Sequence, residues 1–473
     1  MSDTCSKYKT TVGLEIHAEL KTKTKMFCQC KNDTEEKRPN VNACPVCMGH
    51  PGTLPVLNKE AIEDVIKVGL ACESDIADFT EWDRKNYFYP DIPKGYQISQ
   101  YKYPIVSGGY LHGVRLTRIH LEEDTAKSSH DQGDFSLVDF NRSSVPLMEL
   151  VTEPVIHSGK EASDFAKELQ LLLQYLGVGD ANMEKGEMRV EANISVSDCE
   201  GKLGTKVEVK NLNSFKTVEK AIAYETERHI EALEKGEKIV QETRGWDEAK
   251  QKTYSQRIKE DSHDYRYFPD PDLPKMMISE VFDLKKIKEE LPELPWERRN
   301  RYLKVFNIKE QDADSYVNDK SLGDFFEKVI SDFSGNKELV QLASNYISSD
   351  LVGILSKDSK LSFPNDKDFA KIINMVSEGK ISSRGAKDLL ARIVVSGGDP
   401  EEIANKEGLI QQNDEGALKA LAEKLIAENP TVVADFKAGK EASLQYLVGQ
   451  AMKVTKGSAN PQVIKKILLS VIG

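Results

Sequence analysis

Apolar and polar residues alternate through residues 12–20, VGLEIHAEL. Because successive side chains of a strand point to opposite faces, this period of two predicts a half-buried β-strand. Its polar face carries Glu15, His17 and Glu19, and carboxylates beside an imidazole suit a site that holds a cation or a phosphate. Taken alone, the stretch fits an ordinary solvated strand face equally well.

Two later stretches repeat this design. In residues 189–196 and 206–210, apolar residues alternate with polar ones that include Arg189, Glu191 and Glu208. Three such strands indicate a sheet with one apolar face packed on helices and one polar face lining a concavity.

A further polar strand face, formed by Arg118, His120 and Glu122, runs directly into the acidic residues Glu123 and Asp124. Adjacent carboxylates repel one another by roughly 1–4 kcal/mol per close pair. If they turn inward they require a cation such as Mg²⁺, and if they turn outward they form a solvated loop. The sequence leaves both arrangements open.

Helical periodicity is clearest in residues 158–176, where Ser158 and Glu161 form a capping box ahead of an apolar stripe. Beyond residue 294 amphipathic helices dominate, for example at 322–330 and 369–376, and Pro461 opens the last one. We therefore predict an α+β protein. Residues 1–293 form a mixed β-sheet cradle domain with helices on one face, residues 294–408 an all-α domain, and residues 409–473 a small all-α tail.

Composition narrows the class of protein. No long apolar run or leader-like N-terminus occurs among the 473 residues, which favours a cytoplasmic protein without a membrane span. A net charge of −12 argues against a protein that coats nucleic acid by bulk electrostatics. Residues 437–473 differ, with six lysines and one glutamate, so this basic tail is a candidate tRNA-binding or other anion-binding surface.

Four of the seven cysteines cluster as Cys28, Cys30, Cys44 and Cys47. Two pairs of thiolates from two tight loops can surround Zn²⁺ completely, and a site with no open position is structural. The alternative is four reduced thiols in a loop. Because Pro45 and Gly49 leave little apolar content to order residues 28–47, we predict a structural zinc.

Two segments, residues 83–100 and 257–274, mix basic, aromatic and proline residues without a helix or strand period. We interpret both as long ordered loops that either hold phosphates and a base or simply pack rigidly. No phosphate-binding loop, dinucleotide fingerprint or serine nucleophile elbow is present. ATP chemistry here would therefore depend on a metal and basic side chains.

Seven segments, in order, resemble one family: VGLEIHAEL, DRKNYFYPDIPKGYQISQ, HLEEDTAK, DFNRSSVPLMELVTEP, MRVEANIS, VKNLNSF and DYRYFPDPDLP. They are similar to the B subunits of aspartyl/glutamyl-tRNA amidotransferases, and the likeness continues more loosely to VGQAMKVTKGSANPQ in the tail. The resemblance implies a heterotrimer with A and C subunits. In that family the A subunit releases ammonia from glutamine. The task of the B subunit is to bind Glu-tRNA(Gln) or Asp-tRNA(Asn), phosphorylate the charged amino acid with ATP and Mg²⁺, and amidate it.

The resemblance also implies roles for particular residues. It places Mg²⁺ at Glu15, His17, Glu123 and Glu208, and zinc at the four cysteines. Lys85 and Lys94 are expected to contact phosphate or line the ammonia path, and Arg257 and Asp272 are weaker candidates for nucleotide contacts. The sequence departs from the family pattern at Glu191, where aspartate is common, and at Thr125-Ala126 after the acidic triplet.

Two other interpretations remain open. The archaeal Glu-tRNA(Gln)-specific subunit usually has a large inserted domain, for which this chain has little room. A tRNA-binding scaffold without catalysis would tolerate loss of the carboxylates Glu15 and Glu123.

Overall fold

A computed structural model describes residues 7–130, 133–198, 202–258, 265–411, 415–455 and 459–473. The chain divides into two compact units, Met1–Pro295 and Trp296–Gly473. The α+β class is confirmed, with a mixed sheet in the first unit and helices in the second. The three-domain organisation stays a prediction. Of the helices in the described ranges, none combines the length and apolarity that crossing a bilayer requires.

The strands all belong to the first unit among the described residues. They are β1 Tyr8–Glu19, β2 Asp75–Ile76, β3 Phe79–Thr80, β4 Asp83–Asn86, β5 Tyr96–Ser99, β6 Val106–Ser107, β7 Tyr110–Leu111, β8 Val114–Glu123, β9 Lys127–Ser129, β10 Leu137–Asp139, β11 Pro146–Thr152, β12 Met188–Asp198, β13 Val207–Leu212, β14 Glu242–Asp247, β15 Lys252–Ile258, β16 Phe268–Pro269 and β17 Met276–Met277.

The main sheet runs in the order β15-β14-β13-β12-β1-β11-β8-β6-β2, and β7 pairs with β8. Its pairs are antiparallel except for β13 with β14, which makes the sheet mixed as predicted. Alternation in β1 has the expected meaning, because Val12, Leu14, Ile16 and Ala18 are all buried. Burying these side chains against helices is the main driving force for this layer.

Helices cover the apolar face of the sheet. They are α1 Lys59–Ala71, α2 Gly159–Leu176 and α3 Phe215–Glu234, followed by the short α4 Ile278–Val281 and α5 Leu284–Glu289. The capping box at α2 is confirmed, since the Ser158 side chain accepts the Glu161 N–H at 3.1 Å. Glu161 in turn accepts the N–H of His157 at 2.9 Å, one residue earlier than the usual box.

A buried ion cluster fastens α3 to the edge of the sheet. The Glu225 carboxylate is fully buried and pairs with Arg228 at 2.7 Å and with Arg244 of β14 at 3.1 Å. It also accepts the hydroxyl of Thr253 on β15. Burial alone would raise the pKa of Glu225, but hydrogen bonds from His229, Arg228 and Thr253 lower it to about 2.

Residues 83–100 are not a loop throughout, which corrects the sequence interpretation. β4 and β5 form an antiparallel pair, with Asp83 opposite Ser99, and β16 adds a third strand from the second aromatic segment. Pairing with a segment far along the chain supplies the order here, so alternation within residues 83–100 carries little of the signal.

The hairpin between β7 and β8 is closed by His112 and Gly113, whose φ angles are +49° and +76°. Two central residues with positive φ define a type I′ turn, whose twist matches that of the strands. This short turn sets the starting point of β8.

The second unit is helical throughout the described residues, as predicted. Its helices are α6 Pro295–Lys304, α7 Glu310–Asn318, α8 Lys320–Ser331, α9 Lys337–Asn345, α10 Val352–Leu355, α11 Asp366–Ser377, α12 Ser383–Ser396, α13 Pro400–Lys406, α14 Glu415–Glu428, α15 Pro430–Lys437, α16 Glu441–Val454 and α17 Pro461–Ile472, with a π-helical stretch at Tyr346–Leu351. Leu418, Leu447 and Leu468, from α14, α16 and α17, share one buried cluster.

Candidate functional site

A row of ionisable side chains crosses four neighbouring strands on the polar face of the sheet. His17 of β1 pairs with Arg189 of β12 on one side and with Glu149 of β11 on the other. Glu149 pairs in turn with His120 of β8. Because paired residues of antiparallel strands share a face, the strand register alone brings these groups together.

His17 lies at the centre of a compact acidic group. Its Nε2 is 3.3 Å from Glu149, 3.6 Å from Glu122 and 3.9 Å from Glu15. Glu122 and Glu149 are almost wholly buried, while the Glu15 side chain is 28% exposed and opens the group to solvent. One ligand atom each from Glu15, His17 and Glu149 fits within 4.8 Å, which is close enough to hold one cation.

A second acidic group continues from Glu15 toward β13. Glu15, Glu191 and Glu208 also offer oxygens within 4.8 Å of one another. Lys210 pairs with Glu191 at 2.5 Å and lies 3.7 Å from Glu208. Glu15 therefore belongs to both groups, and the predicted set Glu15, His17 and Glu208 lies along one continuous surface.

Neighbouring charges determine which of these groups hold protons. Burial and repulsion from Glu149 and Glu191 raise the pKa of Glu15 to about 7. Burial alone would lower the pKa of His17, but the hydrogen bond with Glu149 and the charge of Glu122 raise it to about 9. Glu149 is buried as well, yet the charges of His120 and His17 keep its pKa below the usual range.

Lys85 faces this group from β4. Burial would lower the pKa of its ammonium, but the charges of Glu122 and Glu149 raise it above its ordinary value, so Lys85 remains a cation. The ammonium also lies 5.2 Å from the ring centre of Tyr265. This placement brings a predicted phosphate-contacting lysine to the rim of the acidic group.

Glu123 is not brought into the acidic group. It follows Glu122 on β8 and points the other way, where it pairs with Lys94 and accepts the Ile98 N–H at 2.9 Å and the Ser144 hydroxyl at 2.7 Å. Glu122 and Glu149 occupy the positions beside His17 instead. The separation follows from the alternation of side chains along one strand.

Glu149 was missed because its strand, PLMELVT, lacks a polar alternation. A single glutamate inside an otherwise apolar strand was the available signal, because an unpaired carboxylate is rarely buried there. Glu122 was recognised on its strand face with His120, and the structure places both beside Glu149.

The four predicted zinc residues do come together. Ligand sulfurs of Cys28, Cys30, Cys44 and Cys47 lie within 4.8 Å of one another, and the Cys44 and Cys47 sulfurs are 3.8 Å apart. Tetrahedral zinc thiolates require a sulfur separation of roughly 3.8 Å. The Cys28 thiol donates a hydrogen bond that lowers the pKa of Cys47 to about 5 despite burial. The donor set therefore fits zinc.

Asp272 lies near the zinc loop rather than in the acidic group, and pairs with Arg84 at 3.0 Å. It lines a cavity of about 180 Å³ together with Phe27, His50, Lys94 and Tyr96. The backbone of Arg257 pairs with Thr243 at the sheet edge, and its side chain lies outside the described part of the chain.

Known proteins place this sheet and its acidic face in a defined class. A family model described as the GatB/GatE catalytic domain matches residues 10–283, which contain the acidic group and the zinc loop. A second model, described as GatB domain, matches residues 324–472.

Relatives similar over the full length define the class further. A protein of Thermotoga neapolitana and one of Caldicellulosiruptor saccharolyticus are each 44% identical over 98% of both chains. A protein of Picosynechococcus is 41% identical over 98% of this chain and 97% of its own. All three are named as the B subunit of aspartyl/glutamyl-tRNA(Asn/Gln) amidotransferase. The chain belongs to this family of amidotransferase B subunits.

Proposed function

We propose that this chain is the subunit that activates and amidates the side-chain carboxylate of Glu-tRNA(Gln), Asp-tRNA(Asn) or both. The observation that carries the proposal is the acidic group around His17, which lies on the open face of the sheet within the residues that match the catalytic-domain model. The names of the relatives support the substrate class and the reaction.

The reaction has two steps. A carboxylate is a poor electrophile because oxide is a poor leaving group, so phosphorylation by ATP first converts it into an acyl phosphate. Ammonia then attacks the carbonyl carbon, the C–N bond forms, and phosphate leaves with the electrons of the C–O bond. Phosphoryl transfer depends mainly on positioning and on neutralising the negative phosphate oxygens.

Glu15, His17 and Glu149 form the set best placed to hold Mg²⁺, with Glu208 at the far side of Glu15. When bound, the cation neutralises phosphate oxygens during transfer. Carboxylate oxygens suit this hard cation, and the imidazole broadens the choice to Mn²⁺. Lys85 places a permanent positive charge beside the same group.

Lys94 and Glu123 are proposed to act on the ammonia side of the site instead. Their ion pair is nearly inaccessible, with 8% and 2% of the side chains exposed. Lys94 also borders the 180 Å³ cavity, which is large enough for ammonia. Replacing Glu123 with Gln should therefore affect ammonia use more than phosphorylation.

Partners follow from the same proposal. Ammonia would come from a glutamine-hydrolysing A subunit, held together with a C subunit, because a nucleophile elbow is absent from this sequence. Misacylated tRNA would contact the basic tail, where Lys453, Lys465 and Lys466 are exposed. Zinc at the four cysteines would order the loop at residues 28–47 and take no part in the reaction.

The decisive test reconstitutes the chain with candidate A and C subunits. We expect ATP- and glutamine-dependent formation of Gln-tRNA(Gln) or Asn-tRNA(Asn), and an acyl phosphate that hydroxylamine traps when glutamine is omitted. Glu15→Gln and Glu149→Gln should lower trapping at least a hundredfold while tRNA binding is kept. Glu231→Gln is the matched control, because that side chain is 71% exposed and lies on α3.

A scaffold without catalysis predicts the opposite outcome. Transamidation would then be unchanged in Glu15→Gln and Glu149→Gln, and the proposal would be wrong. The archaeal type of subunit would convert Glu-tRNA(Gln) only, so parallel assays with both tRNAs separate these possibilities.

A further inference from the structure

Arg189 is a guanidinium that the assigned roles leave unused. It lies on β12 directly opposite His17, on the polar face of the sheet, and its side chain is 29% exposed. Within the described ranges its side chain makes one hydrogen bond, from Nη2 to Asp124 at 3.2 Å. Most of its five N–H donors are therefore available to a ligand.

Asp124 fixes this arginine in place. Its carboxylate is 4% exposed and accepts the Nε of Arg142 at 2.5 Å and the Thr125 N–H at 2.9 Å. The charges of Arg189 and Arg142 outweigh burial and keep the pKa of Asp124 below its ordinary value. An arginine held at one end by a buried carboxylate is pre-organised, because little rotamer freedom is left to lose on binding.

Arg142 shares this anchor but points its donors elsewhere. Its Nη2 pairs with Glu19 at 2.7 Å and also donates to the carbonyl of Gly186 at 3.2 Å. Arg142 is thus held at several points by the protein itself. Arg189 has one such partner and borders the acidic group, so the two arginines differ in what remains for a ligand.

The charge of the site makes such a ligand an anion. Five carboxylates line the polar face: Glu15, Glu122, Glu149, Glu191 and Glu208. An anionic substrate approaching them is repelled unless fixed cations lie alongside, and a guanidinium does not lose its charge in a protein. Its planar fork can donate two parallel hydrogen bonds to a carboxylate or a phosphate.

We propose that Arg189 binds an oxyanion of the reacting substrates, either the side-chain carboxylate of the aminoacyl group or a phosphate of the nucleotide. This inference rests on the proposed function and adds a substrate-contacting residue to it. The shared chemistry is a pair of oxygens recognised by one guanidinium fork, anchored through Asp124.

The test compares Arg189→Gln and Arg189→Lys in the reconstituted complex. We expect Arg189→Gln to raise one KM by about tenfold to a hundredfold, the usual loss for a charge-assisted pair. Arg189→Lys should fall between Arg189→Gln and wild type, because it keeps the charge and loses the fork. A rise in the KM for ATP assigns the oxyanion to the nucleotide, and a rise in the KM for aminoacyl-tRNA assigns it to the substrate carboxylate.

Arg142→Gln is the control for a merely structural role, because it removes the other arginine from the same carboxylate. We expect it to lower the melting temperature without a selective rise in either KM. If Arg189→Gln behaves in the same way, or leaves both KM values at wild type, the inference is wrong. If Arg189→Gln does not fold, a folded Arg189→Lys with wild-type KM values refutes it equally. An inactive wild-type complex would instead refute the proposed function.

Discussion

Cation binding at Glu15 and His17 should release protons. Without a cation the imidazole of His17 has a pKa of about 9 and the carboxyl of Glu15 a pKa of about 7. Both groups must be deprotonated to coordinate a metal ion. Below pH 7 two protons therefore compete with the cation, between pH 7 and pH 9 one does, and above pH 9 neither does.

The size of the effect follows from these two pKa values. Affinity should rise with pH, by about tenfold per unit between pH 7 and pH 9 and more steeply below pH 7. Between pH 6 and pH 8 the expected gain is about a thousandfold. The direction is fixed by the raised pKa values, because each proton is held more tightly in the cation-free site than in water.

Titration calorimetry of the zinc-loaded complex with Mn²⁺ measures this linkage. Repeating the titration at pH 8 in buffers of different ionisation enthalpy should show release of about one proton. His17→Gln should bind more weakly and lose the pH dependence above pH 7, while the exposed control Glu231→Gln should match wild type. Affinity that is constant from pH 6 to pH 8, or a His17→Gln slope equal to that of wild type, would refute the reasoning.

Three further predictions concern stability, zinc and tRNA. Glu225→Gln should cost about 3 kcal/mol at pH 7, since its folded pKa of about 2 lies below an unfolded value of about 4.5; denaturant unfolding should show that difference shrinking as the pH falls from 4.5 to 2. Cys44→Ser should lower the zinc content of purified protein from one toward zero and make residues 28–47 easier to cleave with protease, and an unchanged zinc content would contradict the site. Replacing three exposed lysines with glutamine should weaken tRNA binding and flatten its salt dependence, with equal salt slopes as the contrary result; they are Lys453, Lys465 and Lys466.

The lysine substitutions are a sharper test than removing the tail. Deleting residues 437–473 would take away α16 and α17, whose Leu447 and Leu468 are buried against Leu418 of α14. A truncated chain would expose this apolar surface, so weak tRNA binding could reflect unfolding alone.

Period-two alternation was sufficient to predict the polar face of the sheet. It identified β1, β12 and β13, and so placed Glu15, His17 and Glu208 on one surface before any contact was known. Alternation fails for β11, because Leu147 and Val151 are apolar on the same face as Glu149. Burial of that face beneath neighbouring elements removes the need for polar residues.

The choice between Glu122 and Glu123 shows a different limit. Strand alternation groups Glu122 with His120, whereas the family resemblance favoured Glu123. Contacts with Lys94 and Ser144 come from elements far away in the sequence, so local pattern does not reveal them. The pairing of β4 with β16 was missed for the same reason.

Two consecutive glutamates on β8 make one strand a partition between two compartments, with the cation-side acids on one surface and the Lys94 cavity on the other. A slip of β8 by one residue would exchange the two carboxylates, leaving His17 facing Glu123 and Lys94 facing a different neighbour. The two-residue turn at His112 and Gly113 sets that register from the opposite end of the strand. Separation of phosphorylation from ammonia delivery would then depend on the length of a hairpin turn that touches neither substrate.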